Sequence, residues 1–135
     1  MNLISIRRRG LVHLMAQSKI QLVDDEIKTR QLLSRLLSNQ GFIVQTASDG
    51  EKALIKKANE FQPNCILLDV RMPHGGLGLL SRFRKKFPDS IIIMLSAIIE
   101  PNQVRDYLDE GAYACIKKPV DMSILLEKIE QALNH

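Results

Sequence analysis

The 135-residue sequence lacks several features that would place it in a specialised class of protein. Cys65 and Cys115 are too few for a disulfide framework, and each lies in an apolar run where a thiol behaves as a small hydrophobic group. No apolar run approaches the roughly 18 residues needed to cross a membrane. Low-complexity tracts and fixed-period repeats are also missing. We therefore expect a cytoplasmic globular protein that does not act at a membrane.

The excess of positive charge is confined to the start of the chain. Lysine and arginine number 19 against 15 acidic residues, a net charge of +4, but Arg7, Arg8 and Arg9 precede the patterned region, and without the first 15 residues the balance is +1. Basic residues are not interleaved with aromatic ones, so we expect no nucleic-acid partner. We predict an N-terminal extension of unknown role over residues 1–18 and one domain over residues 19–135, with Met15 as an alternative start.

Beyond residue 18, the hydrophobic pattern alternates between strands and helices. The predicted strands are residues 19–23, 42–46, 64–68, 90–95 and 112–116. Amphipathic helices are predicted between and after them. Their core-facing positions are Ile27, Leu33, Leu36, Leu37, Ala53, Leu54, Ala58, Phe61, Leu80, Phe83, Phe87, Val104, Leu108, Met122, Leu125, Leu126, Ile129 and Leu133. This alternation predicts an α/β fold, a five-stranded parallel sheet between two layers of helices.

Polar side chains follow four of the five predicted strands. They are Asp24 and Asp25 after the first strand, Asp69 after the third, Ser96 after the fourth and Lys118 after the fifth. Ligands of an open parallel sheet bind outside the carboxyl ends of its strands, so these five residues are expected to converge. Taken alone, Asp69 has a simpler interpretation, because aspartates commonly open turns before a proline.

The predicted set of side chains suits a phosphoryl group. Three carboxylates close together repel one another unless a cation lies among them, and Mg²⁺ prefers such hard oxygen ligands. Asp24 and Asp25 are therefore candidates for holding the ion. Lys118 would add a fixed positive charge and Ser96 a hydroxyl donor. Asp69 is the candidate acceptor, since carboxylates accept phosphoryl groups as aspartyl phosphates.

Four short motifs, in this order, resemble those of a response-regulator receiver domain over roughly residues 19–134. They are Val23-Asp24-Asp25-Glu26, Asp69-Val70-Arg71-Met72-Pro73, Leu95-Ser96-Ala97 and Lys118-Pro119. The resemblance implies a doubly wound, flavodoxin-like sheet with strand order 2-1-3-4-5. It also implies a phosphoprotein of a two-component system or phosphorelay, not an enzyme acting on other substrates.

The resemblance further implies a role for each site residue. A sensor histidine kinase or a histidine phosphotransfer protein would donate a phosphoryl group to Asp69, and a downstream target protein would receive the signal. Asp24 and Asp25, with Asp69, would bind Mg²⁺. Lys118, joined to Pro119 by a cis bond, would contact the phosphoryl group, and the Ser96 hydroxyl would move toward it.

Two positions depart from the family pattern. Receivers usually place a glycine four residues after the proline of the Met-Pro pair, whereas Gly76 comes three residues after Pro73, so we predict a loop one residue short. Three residues before the lysine the family usually has Tyr or Phe, and this chain has Cys115. Tyr113 lies two residues earlier on the same strand face. We expect phosphorylation to survive without the usual aromatic switch.

Three other functions are compatible with an aspartate at the end of a parallel strand. A haloacid-dehalogenase-like phosphatase expects a second aspartate two residues after Asp69, where this chain has Arg71. A flavodoxin-like nucleotide or flavin binder expects a glycine- or hydroxyl-rich loop after the first strand, where Asp24 and Asp25 would repel phosphate. The remaining alternative is a receiver-fold interaction module that does not depend on phosphorylation. Cys115 favours it, and the complete acceptor site disfavours it.

Overall fold

The structure, a computed structural model, describes residues 17–54, 58–70 and 73–134. Most of the predicted N-terminal extension, residues 1–16, lies outside the described residues. So do Arg71 and Met72 of the predicted motif, and the side chain of Ala58 is not among those described.

Five parallel strands form one sheet in the order β2-β1-β3-β4-β5. They are β1 Lys19–Val23, β2 Ile43–Ala47, β3 Cys65–Val70, β4 Ile91–Ser96 and β5 Ala114–Lys117. The predicted fold class and strand order are confirmed. Compared with the prediction, β3 starts one residue later and runs two residues further, through Asp69 to Val70, while β5 starts two residues later.

Helices cover both faces of the sheet. Their bounds are α1 Ile27–Asn39, α2 Gly50–Lys52, α3 Ala58–Phe61, α4 Pro73–Lys86, α5 Pro101–Asp109 and α6 Met122–Leu133. The second predicted helix is thus described as two short pieces on either side of residues 55–57. None of the helices in the described ranges is long and apolar enough to cross a membrane.

Two hydrophobic clusters lie on opposite faces of the sheet. On one face, Ile20 and Leu22 of β1 pack with residues of α1 and α6, including Leu33 and Leu125. The opposite face joins strand residues to α4 and α5 and contains Phe83. The first four residues of β3 are fully buried. β3 therefore has the burial of a central parallel strand covered by helices on both sides.

Several predicted details are wrong in instructive ways. Ile27, predicted to face the core, is 55% exposed because it is the first residue of α1, at the helix end beside the edge of the sheet. Leu108 is 44% exposed, whereas Tyr107 is only 2% exposed. Successive side chains of an α-helix point about 100° apart around its axis. When Tyr107 points into the core, Leu108 therefore points toward solvent. The segment from Pro73 to Gly76, which the sequence pattern places in a loop, forms the first turn of α4, whereas the one-residue difference from the family pattern stays a prediction.

Candidate functional site

The carboxyl edge of the sheet carries the predicted polar residues. Asp24 directly follows β1, and Lys118 directly follows β5. Asp69 and Ser96 lie within β3 and β4 rather than after them, because Asp69 pairs with Leu95, and Val70 with Ser96, in the strand ladder. The regular backbone of two neighbouring strands therefore fixes the positions of both residues.

Three carboxylates meet at this edge. Asp24, Asp25 and Asp69 each offer one oxygen, and these oxygens lie within 4.8 Å of one another. Asp24 is 1% exposed, whereas Asp25 is exposed. Burial, and after it the charge of Asp24, raises the pKa of Asp69 despite the opposing effect of Lys118. Hard oxygen donors in a site open to water on one side fit a divalent ion such as Mg²⁺.

Lys118 connects two of these carboxylates. Its Nζ lies 2.9 Å from Asp24 Oδ2 and 2.8 Å from Asp69 Oδ1, and its side chain is only 15% exposed. Burial alone would lower the pKa of the ammonium group, but the hydrogen bonds to Asp69 and Asp24 outweigh burial and raise it. Lys118 therefore carries a positive charge at neutral pH. Its peptide bond to Pro119 is cis, as the resemblance implied.

Backbone and side-chain contacts hold Asp24 in place. Its amide donates to Ala47 O at 3.1 Å, and its Oδ1 accepts from the Glu26 amide at 2.9 Å. Its carbonyl accepts a 2.7 Å hydrogen bond from Arg30 Nη1, donated from the first turn of α1. Arg30 was not among the predicted site residues. The only available signal was a basic residue in the helical turn that follows the acidic pair.

Ser96 uses its hydroxyl group locally. Its Oγ donates to Ile98 O at 2.6 Å and accepts from the Ile98 amide at 3.3 Å. The Ser96 carbonyl accepts from the Lys118 amide at 2.8 Å, which ties the end of β4 to the lysine. The Ser96 hydroxyl thus donates its proton to the loop that follows β4. To donate to a phosphoryl group, it would have to give up the hydrogen bond to Ile98 O.

Three carboxylates, a lysine and a serine thus lie together at one edge of a parallel sheet. Residues 20–130 match the sequence profile of the response regulator receiver domain. The chain belongs to this family. The receiver domain is 30% identical over 115 residues to the chemotaxis protein CheY of Listeria monocytogenes, covering 84% of this chain and 97% of CheY. It is also 29% identical over 122 residues to the DNA-binding transcriptional regulator NtrC of Proteus hauseri, covering 90% of this chain but only 26% of NtrC.

Solved structures agree with this assignment. The chemotaxis protein CheY4 of Vibrio cholerae superposes on the receiver domain with a TM-score of 0.78 and 31% sequence identity. The match covers 87% of this chain and 99% of CheY4. The receiver domain thus spans nearly the full length of single-domain relatives and about a quarter of NtrC.

The receiver domain has an unusual arrangement where the family aromatic is expected. Cys115 is half-buried and packs against the cluster that contains Tyr107 of α5. Tyr107 is buried, and its hydroxyl accepts a 3.1 Å hydrogen bond from Gln103 Nε2. Tyr113 is 40% exposed and is not among the described residues of this cluster. The buried aromatic ring near Cys115 therefore belongs to a helix residue, Tyr107. Only the position of Tyr107 in the helical period could have predicted its burial from the sequence.

Proposed function

We propose that this receiver domain accepts a phosphoryl group on Asp69 and passes the signal to a partner protein by direct contact. The observation that supports this most strongly is the bridge of Lys118 to both Asp24 and Asp69 within the three-carboxylate cluster. A carboxylate acceptor, a place for a divalent ion and a fixed positive charge are the parts that phosphoryl transfer needs. Family membership supports the same function.

The donor in this proposal is a phosphohistidine of a sensor histidine kinase or a phosphotransfer protein. An Asp69 oxygen attacks phosphorus, the phosphorus–nitrogen bond breaks, and the histidine nitrogen keeps the electron pair, so that an aspartyl phosphate forms. Asp24, Asp25 and Asp69 would hold Mg²⁺, which when bound neutralises charge on the phosphoryl oxygens. Lys118 would shift its hydrogen bond from the Asp69 carboxylate to a phosphoryl oxygen.

Ser96 would connect the reaction to the outside of the protein. To donate to a phosphoryl oxygen, its hydroxyl must release the Ile98 carbonyl. Ile98 is 67% exposed and lies in the loop just before α5. Release would therefore alter a surface that a downstream target protein can contact. We assign this activity to a receiver domain of residues 19–135 in the cytoplasm, and the role of the N-terminal extension, residues 1–18, is left unassigned.

Labelling with a small phosphodonor tests the proposal. The chain is incubated with acetyl phosphate, with and without Mg²⁺, and its intact mass is measured. We expect a Mg²⁺-dependent gain of one phosphoryl group in the wild type and in the control variant Asp109→Asn, which changes an exposed aspartate of α5. Asp69→Asn is expected to gain none. Equal labelling of Asp69→Asn would exclude Asp69 as acceptor, and no labelling of the wild type would favour the phosphorylation-independent interaction module.

A further inference from the structure

We infer that Arg30 is a positioning residue for the cation site, because it fixes the peptide group that joins Asp24 to Asp25. This inference rests on the proposed function, in which these carboxylates hold Mg²⁺. Among the described residues, the hydrogen bond of Arg30 goes to a backbone carbonyl, Asp24 O, and not to any of the three carboxylates. Its effect on the site would pass through the backbone.

The contacts of Asp24 show where Arg30 acts. The amide and both carboxylate oxygens of Asp24 have partners in Ala47, Glu26 and Lys118. The carbonyl oxygen is the remaining group, and the half-buried guanidinium of Arg30 donates to it at 2.7 Å. A hydrogen bond of this length from a charged donor is among the stronger ones in proteins. Without it, the carbonyl would lose the only partner recorded for it in the described part of the chain.

Planarity of the peptide group carries this effect to Asp25. The carbonyl of Asp24 and the amide of Asp25 lie in one rigid plane, so holding the oxygen fixes the rotation of the whole unit. That rotation sets the direction in which the Asp25 side chain leaves the backbone. Asp25 lies in a bend between β1 and α1 and is the most exposed of the three acids. It therefore depends more on this peptide than Asp69, which a strand ladder holds.

The charge of Arg30 and its positioning contact predict opposite effects of its removal on the affinity for Mg²⁺. A guanidinium near the acid cluster repels a cation, so loss of its charge alone would tighten Mg²⁺ binding. Loss of the positioning contact would weaken Mg²⁺ binding, because Asp25 would sample directions away from the site. The sign of the change in affinity thus separates the two effects.

Mg²⁺ titration of the full chain, followed by the NMR signal of the Asp25 amide, tests the inference. Arg30→Met removes the donor and the charge but keeps an unbranched apolar stem with good helix propensity. We expect its Mg²⁺ dissociation constant to rise about tenfold, the lower end for residues that orient metal ligands. Lys28→Met also removes one positive charge, at an exposed position of the same helix, and is expected to bind Mg²⁺ like the wild type.

Two further readouts separate positioning from general damage. The Asp25 amide signal is expected to shift in Arg30→Met even without Mg²⁺, and to stay in place in Lys28→Met. Acetyl phosphate labelling of Arg30→Met is expected to reach the wild-type rate once Mg²⁺ is saturating. Arg30→Lys keeps the charge but offers a point donor in place of a planar fork, so its dissociation constant is expected to rise about threefold.

The outcomes are distinguishable. Mg²⁺ binding by Arg30→Met that equals or exceeds that of the wild type would overturn the role of Arg30 and leave the proposed function standing. If circular dichroism shows Arg30→Met to be unfolded, Arg30→Lys decides, and wild-type affinity in that variant would overturn the inference. A wild-type chain that binds no Mg²⁺ would refute the cation site of the proposed function itself.

Discussion

Replacement of Lys118 by methionine should destabilise the fold and make its stability depend more strongly on Mg²⁺ than that of the wild type. In the wild type, Lys118 Nζ lies 2.9 Å from the Asp24 carboxylate and 2.8 Å from that of Asp69, both of which are almost fully buried. Methionine keeps the apolar stem but removes the charge. The variant would then hold adjacent carboxylates without a protein counter-charge, unless a divalent ion replaces it.

The distances set the size of the effect. At an effective dielectric constant of about 20, each contact contributes about 6 kcal/mol of gross Coulomb attraction, most of which desolvation offsets. Removing one partner of a buried ion pair costs about 3–5 kcal/mol of stability. Because the lysine side chain is 15% exposed, we expect the lower end, about 3 kcal/mol. Mg²⁺ at about a hundred times its dissociation constant would return about 2.7 kcal/mol.

Urea unfolding of Lys118→Met, with EDTA or with Mg²⁺, measures this loss and its recovery. The deficit should also shrink on acidification. Burial already raises the pKa of Asp69 in the wild type, and removal of Lys118 would raise it further, so the variant gains stability relative to the wild type as the pH falls through the folded-state pKa of Asp69. Lys117→Met, at an exposed neighbouring position, is the matched control and should change little. If Lys118→Met in EDTA is as stable as the wild type, and Mg²⁺ does not change its stability, this account of the site is refuted.

Two further predictions concern buried polar groups. Gln21 is fully buried, and within the described ranges neither polar atom of its side-chain amide has a hydrogen-bond partner. Because burying an unsatisfied polar group is costly, Gln21→Leu should raise the free energy of unfolding by about 1–3 kcal/mol. The exposed Gln31→Leu should stay within about 0.5 kcal/mol, and a less stable Gln21→Leu would show that the amide is satisfied. Burial is the main cause that raises the pKa of Tyr107. The unfolded chain therefore loses this proton at a lower pH than the folded protein, and folding stability should fall as the pH rises through the tyrosine range. Tyrosinate absorbance of Tyr113→Phe should therefore appear above pH 10.0, and ionisation at or below that value would contradict burial as the cause.

Much of the fold follows from local patterns in the sequence. Apolar runs such as Ile66 to Leu68, bounded by polar residues and turn signals, predict buried parallel strands because periodicity and length are local properties. Polar residues just past such runs are brought to one edge by any parallel sheet. For that reason Asp24, Asp69 and Lys118 could be predicted as neighbours although Lys118 and Asp24 are 94 positions apart.

Hydrogen-bond partners and exact helix faces required the tertiary structure. The sequence shows that Ser96 ends a strand, but the turn of its hydroxyl toward Ile98 depends on the path of the following loop. It likewise gives no reason for Arg30 to donate to Asp24 O rather than to solvent. A shift of one residue in the helical period decided that Tyr107, and not Leu108, is buried.

The sequence by itself therefore determined the order of the elements, the sheet and the group of acids and lysine at its edge, because these depend on spacing along the chain. Only the tertiary structure decided that Lys118 bridges two carboxylates and that Arg30 holds the backbone between Asp24 and Asp25. Such contacts depend on side-chain rotamers and on distances of a few ångströms between elements. Packing of the whole domain sets these distances, and no local pattern encodes them.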